Sequence, residues 1–310
     1  MEYHRIPKTD IKISILGVGT NGVGGHNLFP NLDENKGAAM VRSALDEGIN
    51  LVDTADAYGF GRSEEIIGEV IKSRRQDVVL ATKGGLEYTN DGTTFNNRPE
   101  YLKQAVENSL KRLQTDYIDI YYLHFPDSDV PLSEAIGALS RLKEEGKIRA
   151  IGISNVSAEQ LSEANRHNDI SVLQSWYNML DRSAEDELLP YCNEQGISFI
   201  PFGPLAYGLL SGHYTKDFTP SYDDHRSSHP LFAPGLYEDT IDRVSELKEI
   251  ADKKGTTVSN LALAWLLAQQ NVAAVIPGGK GPDRVQENLR ALSVKLSKEE
   301  KELIEEVLDN

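Results

Sequence analysis

Short apolar runs alternate with longer amphipathic segments along most of this chain. The runs have the length of buried strands, and the segments between them repeat apolar residues at the spacing of one helix face. We therefore predict a small N-terminal β-hairpin followed by eight main strands. The hairpin strands are predicted at 3–6 and 11–15, and the main strands at 13–19, 49–53, 78–83, 117–124, 148–154, 172–177, 197–202 and 272–276.

Helices are predicted between the main strands and at the end of the chain. They cover 33–47, 63–72, 99–113, 133–145, 158–165, 185–195, 239–254, 258–269, 282–292 and 297–308. Since no linker or change of composition divides the chain, the alternation predicts an α/β fold with one domain over 1–310. The favoured architecture is a (β/α)8 TIM barrel with an N-terminal β-hairpin and extra C-terminal helices, and a doubly wound open sheet is the alternative.

The stretch 208–237 has no predicted helix or strand and is rich in Pro, Ser, His and Gly. Loops of that length are uncommon unless they have a function, so we expect one here. Its histidines are irregularly spaced and give no metal-site pattern, and no metal is predicted.

Charge and composition narrow the possible partners. The formal net charge is −16, which disfavours nucleic acid or an anionic membrane as the main partner. No apolar run approaches the roughly 20 residues of a membrane span, and the N-terminus lacks a signal-peptide pattern. The single cysteine, Cys192, cannot form an internal disulfide, which fits a reducing cytoplasm. The oligomeric state stays open.

A glycine-rich segment near the N-terminus suggests a dinucleotide-binding motif that its context does not support. Residues 17–22 fit the G-x-G-x-x-G pattern after a strand. However, no helix opens on the last glycine, and the acid Asp53 lies 31 residues past Gly22, against the usual spacing of about 20. We therefore expect these glycines to allow close backbone approach to a ligand at the mouth of a barrel.

Polar side chains follow three successive apolar runs. Asp53, Lys83 and His124 come at the ends of the second, third and fourth main strands, and Tyr58 follows Asp53 by five residues. The carboxyl ends of parallel strands form the edge where barrel active sites lie. Individually, each of these residues has an ordinary structural explanation, such as a turn former or a core aromatic. Their joint order predicts one proton-transfer site.

This set of residues suits the reduction of a carbonyl group. A free tyrosine has a pKa of about 10, and a neighbouring ammonium lowers that pKa by stabilising the phenolate. Lys83 could act on Tyr58 in this way if an ion pair with Asp53 holds it in place. His124 could polarise the carbonyl oxygen or help share the proton.

Several ordered motifs resemble those of the aldo-keto reductase family. They are the segment 53–59 with Ser63, Glu64 and Gly68, then 81–83, 117–124, 152–155, Gln174 with 177–178, 201–205 and 276–278. The resemblance covers nearly the whole chain. It implies that Tyr58 is the general acid, that Lys83 and Asp53 tune it, and that His124 orients the substrate. At the mouth of the predicted barrel, we expect a substrate pocket containing Tyr58, His124, Phe125 and Trp176.

The family resemblance further implies a nicotinamide dinucleotide bound in an extended pose. Ser154, Asn155 and Gln174 would bond the carboxamide, Phe202 would stack on the nicotinamide ring, and the backbone near Gly203 would approach the pyrophosphate. The full set of expected cofactor residues is Gly19, Thr20, Asn21, Asp53, Ser154, Asn155, Gln174, Phe202, Gly203, Pro204, Leu205, Gly278, Gly279, Lys280, Arg284, Glu287 and Asn288.

The adenosine end of this expected site bears on the choice of cofactor. Lys280 and Arg284 could grip a 2′-phosphate, and the helix predicted from Pro282 offers its N-terminal amides to a phosphate. Many family members carry a Lys-Ser pair where Gly278-Gly279 stands here, so Lys280 would act from a shifted position. We expect NADP(H), with NAD(H) as the alternative.

The resemblance therefore predicts an NADP(H)-dependent oxidoreductase that reduces small aldehydes or ketones to alcohols. Two alternatives are kept. The first is an NAD(P)⁺-dependent sugar or alcohol dehydrogenase, which runs the same chemistry in reverse. The second is a cofactor-sensing regulatory binding protein of the same fold.

Overall fold

The computed structural model describes residues 1–89, 92–222 and 224–309, with the side chain of His225 left out. The predicted loop 208–237 and the predicted domain 1–310 thus include positions, namely 90, 91, 223 and 310, that lie outside the described residues. The strands are β1 Tyr3–Arg5, β2 Lys12–Ser14, β3 Val18–Gly19, β4 Leu51–Asp53, β5 Val79–Gly84, β6 Leu86–Thr89, β7 Gly92–Phe95, β8 Ile118–Leu123, β9 Ile148–Ser154, β10 Ile170–Trp176 and β11 Ser198–Phe202.

Amphipathic helices follow most of these strands. They are α1 Glu34–Asp46, α2 Arg62–Ile71, α3 Pro99–Leu113, α4 Leu132–Glu144, α5 Ala158–Ala164, α6 Leu188–Gln195, α7 Leu236–Lys253, α8 Val258–Leu267, α9 Pro282–Leu289 and α10 Lys298–Asp309. Helix starts follow from local chemistry. Asp33 caps α1 by accepting from the Lys36 amide at 3.1 Å, and Pro99 begins α3, where a missing N–H does no harm.

The main sheet is parallel and curls into a barrel. Its strand order is β11-β10-β9-β8-β5-β4-β3. The predicted eighth strand, 272–276, joins the two edges through isolated parallel bridges, Leu16 to Val275 and Phe199 to Val272. The Gly17 amide donates to the Val275 carbonyl at 2.8 Å, and the Ala273 amide donates to the Phe199 carbonyl at 2.8 Å. The eighth segment thus closes the barrel without forming a continuous ladder.

Glycines of the 17–22 segment serve this closure. A Cβ at Gly19 would lie 2.9 Å from the Ile276 carbonyl oxygen, and one at Gly22 would lie 2.6 Å from the Gly279 carbonyl oxygen. Any larger residue would push the first strand away from the last segment. The backbone that approaches them in these contacts is the chain's own. Gly19 and Gly22 also line a large cavity at the mouth of the barrel, so the close approach of a ligand to these glycines stays a prediction.

The hydrophobic core has two layers. One lies between the sheet and the helices, and the other fills the inside of the barrel. The inner layer contains Ile6 and Ile13 from the β1–β2 hairpin together with Leu51, Ile120 and Val172 from barrel strands. The hairpin precedes the first barrel strand, so it closes the end of the barrel that faces away from the strand C-termini. The open end is left for chemistry.

Two regions contain structure that the sequence patterns did not predict. The segment between β5 and α3 forms an antiparallel hairpin, β6 with β7, in which Leu86 is paired with Phe95. Within the predicted loop, short 3₁₀ turns form at Ala206–Ser211, His225–Ser228 and Pro230–Phe232, and α7 starts at Leu236. Across the described residues, no helix has both the length and the apolar character that a membrane span needs.

Candidate active site

A buried ion pair lies at the open end of the barrel. Strand register brings it together, because Asp53 of β4 is opposite Ala81 of β5 and Lys83 follows two residues later. Lys83 Nζ lies 2.5 Å from Asp53 Oδ1, and the two side chains are 1% and 4% exposed. Lys83 also donates to the Thr54 carbonyl at 2.9 Å, and Gln174 Nε2 donates to Asp53 Oδ2 at 2.8 Å. Both carboxylate oxygens are therefore occupied, and the ammonium is fixed.

Tyr58 lies beside this pair. Lys83 Nζ is 5.3 Å from the centroid of the Tyr58 ring. Burial raises the pKa of Tyr58, and the charge of Lys83 lowers it, but the pKa remains above its ordinary value. The charge of Lys83 thus acts on this pKa in the predicted direction, but the loss of solvation outweighs it. The pKa of Lys83 is also subject to two opposing effects. Burial lowers it, but the charge of Asp53 raises it, and the pKa of Lys83 lies above its ordinary value.

His124 follows β8 and is buried next to the same ammonium. Its backbone amide donates to the Gly84 carbonyl at 2.9 Å, which ties it to the strand that carries Lys83. Burial and the charge of Lys83 hold the pKa of His124 well below its ordinary value, so the imidazole is neutral near pH 7. Among the described residues, no side chain or backbone group hydrogen-bonds its Nδ1. A neutral imidazole can donate from one nitrogen and accept at the other.

One large cavity, of about 2020 Å³, opens above these groups. Lys83 lies buried beneath it and does not line it. The cavity is lined by all of the other predicted catalytic, cofactor and substrate residues, namely Gly19, Thr20, Asn21, Asp53, Tyr58, His124, Phe125, Ser154, Asn155, Gln174, Trp176, Phe202, Gly203, Pro204, Leu205, Gly278, Gly279, Lys280, Arg284, Glu287 and Asn288.

The polar groups expected near the nicotinamide are held by one another. Asn155 Nδ2 donates to the His124 carbonyl at 2.9 Å and to Ser154 Oγ at 3.0 Å. Asn155 adopts a φ of 56°, a left-handed conformation that asparagine tolerates better than most residues. Gln174 is bonded to Asp53, so its amide orientation is set by the buried ion pair.

An aromatic wall stands next to these amides. Phe202, at the end of β11, meets Trp176 edge-to-face, with ring centroids 5.6 Å apart. Gly203 has a φ of 64°, and a Cβ there would lie 2.2 Å from the Trp176 ring. Glycine is therefore required at this turn for two reasons, its backbone conformation and the adjacent ring.

The opposite end of the cavity is cationic and more open. Arg284 Nη1 lies 2.5 Å from Glu287 Oε2, and these side chains are 44% and 24% exposed. Lys280 Nζ lies 5.3 Å from the Phe29 ring centroid. Lys36, in the first turn of α1, also lines the cavity and was not predicted from the sequence. No pattern in the sequence pointed to it, since it is a single lysine in a polar turn.

Other lining residues also went unpredicted from the sequence. They come from segments whose position depends on how the chain folds back over the barrel, and they include Leu28, Phe29 and Thr93. Sequence periodicity carries no signal for such contacts. The two ends of the cavity together suit a dinucleotide, with neutral amides and an aromatic ring at one end and cations at the other.

Comparison with known proteins places the chain in a family. The family model described as "Aldo/keto reductase family" matches residues 15–309. The aldo-keto reductase YhdN of Bacillus subtilis is 37% identical over 100% of this chain and 94% of its own length. The NADH-specific methylglyoxal reductase of Escherichia coli is 36% identical over 97% of this chain and 96% of its own length. The solved structure of the glycerol dehydrogenase AKR11B4 from Gluconobacter oxydans is 33% identical and superposes with a TM-score of 0.91, covering 99% of this chain and 94% of that one.

The chain belongs to the aldo-keto reductase family of nicotinamide-dependent oxidoreductases. The predicted family and the predicted (β/α)8 barrel are both confirmed. Because similar proteins include an NADH-specific enzyme, family membership does not decide between the two nicotinamide cofactors.

Proposed function

We propose that this protein reduces aldehydes or ketones to alcohols with NADPH, and that Tyr58 donates the proton. The observation that carries the proposal is the buried Lys83–Asp53 pair, whose ammonium lies 5.3 Å from the Tyr58 ring at the floor of the cavity. A surface lysine could not fulfil this role, because solvent would screen its charge and its position would vary.

Tyr58 can act as the acid because its phenol is protonated near pH 7, but burial raises its pKa, so it yields the proton only where its phenolate is stabilised. When the proton leaves, a phenolate forms beside the buried ammonium of Lys83. Lys83 stabilises that phenolate, since its ammonium is held in place by Asp53 and the Thr54 carbonyl. The ion pair thus offsets part of the penalty that burial imposes on the ionised phenol.

His124 suits the role of a positioning and polarising group. Its imidazole is neutral, so it can donate a hydrogen bond to the substrate oxygen without competing with Tyr58 as the acid. Phe125 and Trp176 flank the same region of the cavity and reduce its exposure to water.

The nicotinamide, when bound, supplies a hydride from C4 to the carbonyl carbon. Ser154, Asn155 and Gln174 would orient its carboxamide, and Phe202 would support its ring. Gly203, Pro204 and Leu205 would approach the pyrophosphate. The remaining expected contacts, at Gly19, Thr20, Asn21, Gly278, Gly279 and Asn288, line the same cavity.

The preference for NADPH rests on the charges at the end of the cavity where Lys280 and Arg284 lie. Lys36, Lys280 and Arg284 supply three cations at this end, against the two carboxylates of Asp283 and Glu287, in a protein whose net charge is −16. The partner of Arg284 is Glu287, and because this pair is partly exposed, Arg284 can exchange that carboxylate for a 2′-phosphate. The relative from Escherichia coli is described as NADH-specific, so NAD(H) is the alternative outcome.

Cys192, a buried free thiol, supports a cytoplasmic location.

Isotope transfer tests the proposed reaction directly. Purified protein would be incubated with NADPH carrying deuterium at C4, on each face in turn, and with a panel of aldehydes and ketones. We expect one labelled form to place deuterium on the carbinol carbon of the product. Failure to consume cofactor with any carbonyl, or an unlabelled alcohol from both forms, would refute the proposal. A parallel assay with NADP⁺ and alcohols measures the reverse reaction, which the likeness to a glycerol dehydrogenase favours as a second activity.

A further inference from the structure

Four aromatic side chains surround the outer cavity on the side of Tyr58. Phe60 meets Tyr88 edge-to-face with ring centroids 5.0 Å apart, and Phe95 meets Phe125 with centroids 5.5 Å apart. Phe60, Tyr88 and Phe125 line the cavity directly. We call these four residues the aromatic rim. Two of them, Tyr88 and Phe95, come from the β6–β7 hairpin.

Two phenylalanines of the rim are largely exposed to solvent. Phe60 is 62% exposed and Phe95 is 52% exposed. Large side chains of this kind gain stability when they leave water, so an exposed pair at a cavity entrance is typical of a binding surface.

The backbone at Phe60 adds a second, independent observation. Phe60 has a φ of 55°, and its neighbours Gly59 and Gly61 have φ values of 64° and 94°. Glycine adopts this left-handed region freely, whereas a bulky residue there is strained. The turn uses glycine on both sides but keeps phenylalanine at its centre, two residues after Tyr58. Strain retained at such a place suggests that the ring has a function.

The rim is continuous with the predicted reaction centre. Phe125 packs against the His124 ring, with centroids 4.7 Å apart. On the other side of the cavity, Trp176 and Tyr207 form a further aromatic pair, with centroids 5.1 Å apart. A planar group that extends from a carbonyl at His124 would therefore meet aromatic faces or edges along its path.

The rim also has little to offer a polar or charged substrate. Its four side chains contain one polar atom, the Tyr88 hydroxyl. That oxygen is buried and has no hydrogen-bond partner within the described parts of the chain, and burial raises the pKa of Tyr88, so the phenol is neutral. A polyol or a carboxylate would leave its own groups unpaired against these rings.

We propose that the preferred substrates of this protein are carbonyl compounds that carry an aromatic ring, bound with that ring against the aromatic rim. This inference rests on the proposed function and deepens it. The reaction is unchanged, because the carbonyl carbon gains a hydride and its oxygen gains a proton. The aldehyde or ketone is reduced and the nicotinamide is oxidised.

Three aldehydes of matched carbonyl chemistry test the inference, namely propanal, 3-phenylpropanal and 3-cyclohexylpropanal. With full-length protein and NADPH, we expect kcat/KM for 3-phenylpropanal to exceed that for propanal by roughly 50-fold, the gain from removing most of a phenyl ring from water. We expect it to exceed 3-cyclohexylpropanal by about threefold, since aromatic pairs gain beyond their buried area. The difference should lie in KM.

The Phe60→Gly variant distinguishes an effect of the rim on substrate choice from an effect on folding. Glycine accepts the left-handed φ, so the variant should fold at least as well as the wild type, as thermal unfolding would show. We expect the ratio of 3-phenylpropanal to propanal to fall about fivefold, with kcat for propanal within about twofold of wild type. Leu303→Ala, at a residue 50% exposed on α10, is the matched control and should leave the ratio unchanged.

The outcomes distinguish the two proposals. A wild-type ratio near one, or an undiminished ratio in Phe60→Gly and in Phe95→Ala, would overturn the rim proposal while reduction of propanal still supports the reductase. Absence of turnover with all three aldehydes and with the carbonyl panel would refute the reductase itself, and the rim proposal with it.

Discussion

Two ion pairs of the same length stand at opposite ends of the cavity. Lys83 and Asp53 are 2.5 Å apart and almost fully buried, whereas Arg284 and Glu287 are 2.5 Å apart and partly exposed. The buried pair has further partners, because Thr54 and Gln174 bond its two members. The exposed pair joins two residues of one helix face, three positions apart.

The difference shows that burial, more than distance, decides what an ion pair can do. A pair removed from water keeps one geometry and acts strongly on its neighbours, but losing either member leaves an uncompensated charge. A pair in contact with water contributes little to stability and can exchange partners. The first suits the tuning of a proton donor, and the second suits the reversible capture of a phosphate.

Removing the cation from each ion pair should give the largest difference between the two pairs. Lys83→Met leaves the Asp53 carboxylate buried without its ammonium, so we expect the free energy of unfolding to fall by about 3–5 kcal/mol. We also expect kcat for carbonyl reduction to fall at least 100-fold, because the Tyr58 phenolate loses its stabilising charge. Denaturant unfolding and steady-state kinetics measure the two effects.

The matched change in the exposed pair is Arg284→Met. Its free energy of unfolding should stay within about 1 kcal/mol of wild type. Equal destabilisation by the two substitutions would contradict the comparison. The double variant Asp53→Asn with Lys83→Met should recover stability relative to Lys83→Met, since no buried charge is left alone.

Acid should lower the stability of the folded protein because His124 is buried in its neutral form. Its pKa is low in the folded protein and near 6.5 in the unfolded chain, so only the unfolded chain takes up the proton below that pH. Stability is therefore full above pH 6.5 and declines as the pH falls, by about 1.4 kcal/mol at pH 5.5. His124→Asn should show a flatter dependence from pH 7 to 5.5 in urea unfolding. A curve parallel to that of the wild type would refute a neutral buried imidazole.

The smallest expected effect is on cofactor choice. Arg284→Met should raise KM for NADPH about fivefold and leave KM for NADH nearly unchanged, since only NADPH carries the 2′-phosphate. The NADPH effect should shrink as salt is added, because the site is exposed. An equal rise in both KM values, or a wild-type preference for NADH, would assign Arg284 a different role.

The sequence could predict which side chains meet at the mouth of the barrel, because strand ends are local features. Apolar runs locate the strands, and parallel register then brings Asp53, Lys83 and His124 to one edge. The (β/α)8 architecture follows from the same alternation. The net direction of the Tyr58 pKa was not predictable, because burial depends on the assembled cavity and not on the nearest charge.

Features formed by segments that fold back over the barrel escaped prediction. The β6–β7 hairpin breaks the regular alternation of strand and helix, and its strands are only four residues each. Lys36 reaches the cavity only because α1 packs beside α9. The contacts between the glycines of 17–22 and the segment 276–279 were not predicted, because the sequence does not show which distant segment returns to the first strand.

We propose that Tyr58 donates the proton and that the rest of the site binds cofactor without it. Tyr58→Phe tests this most directly, with NADPH affinity and the single-turnover rate of carbonyl reduction measured on the same preparation. We predict a dissociation constant within about threefold of wild type and a rate at least 100-fold lower, the usual contribution of a general acid. A single-turnover rate equal to that of the wild type would contradict a proton-donor role for Tyr58.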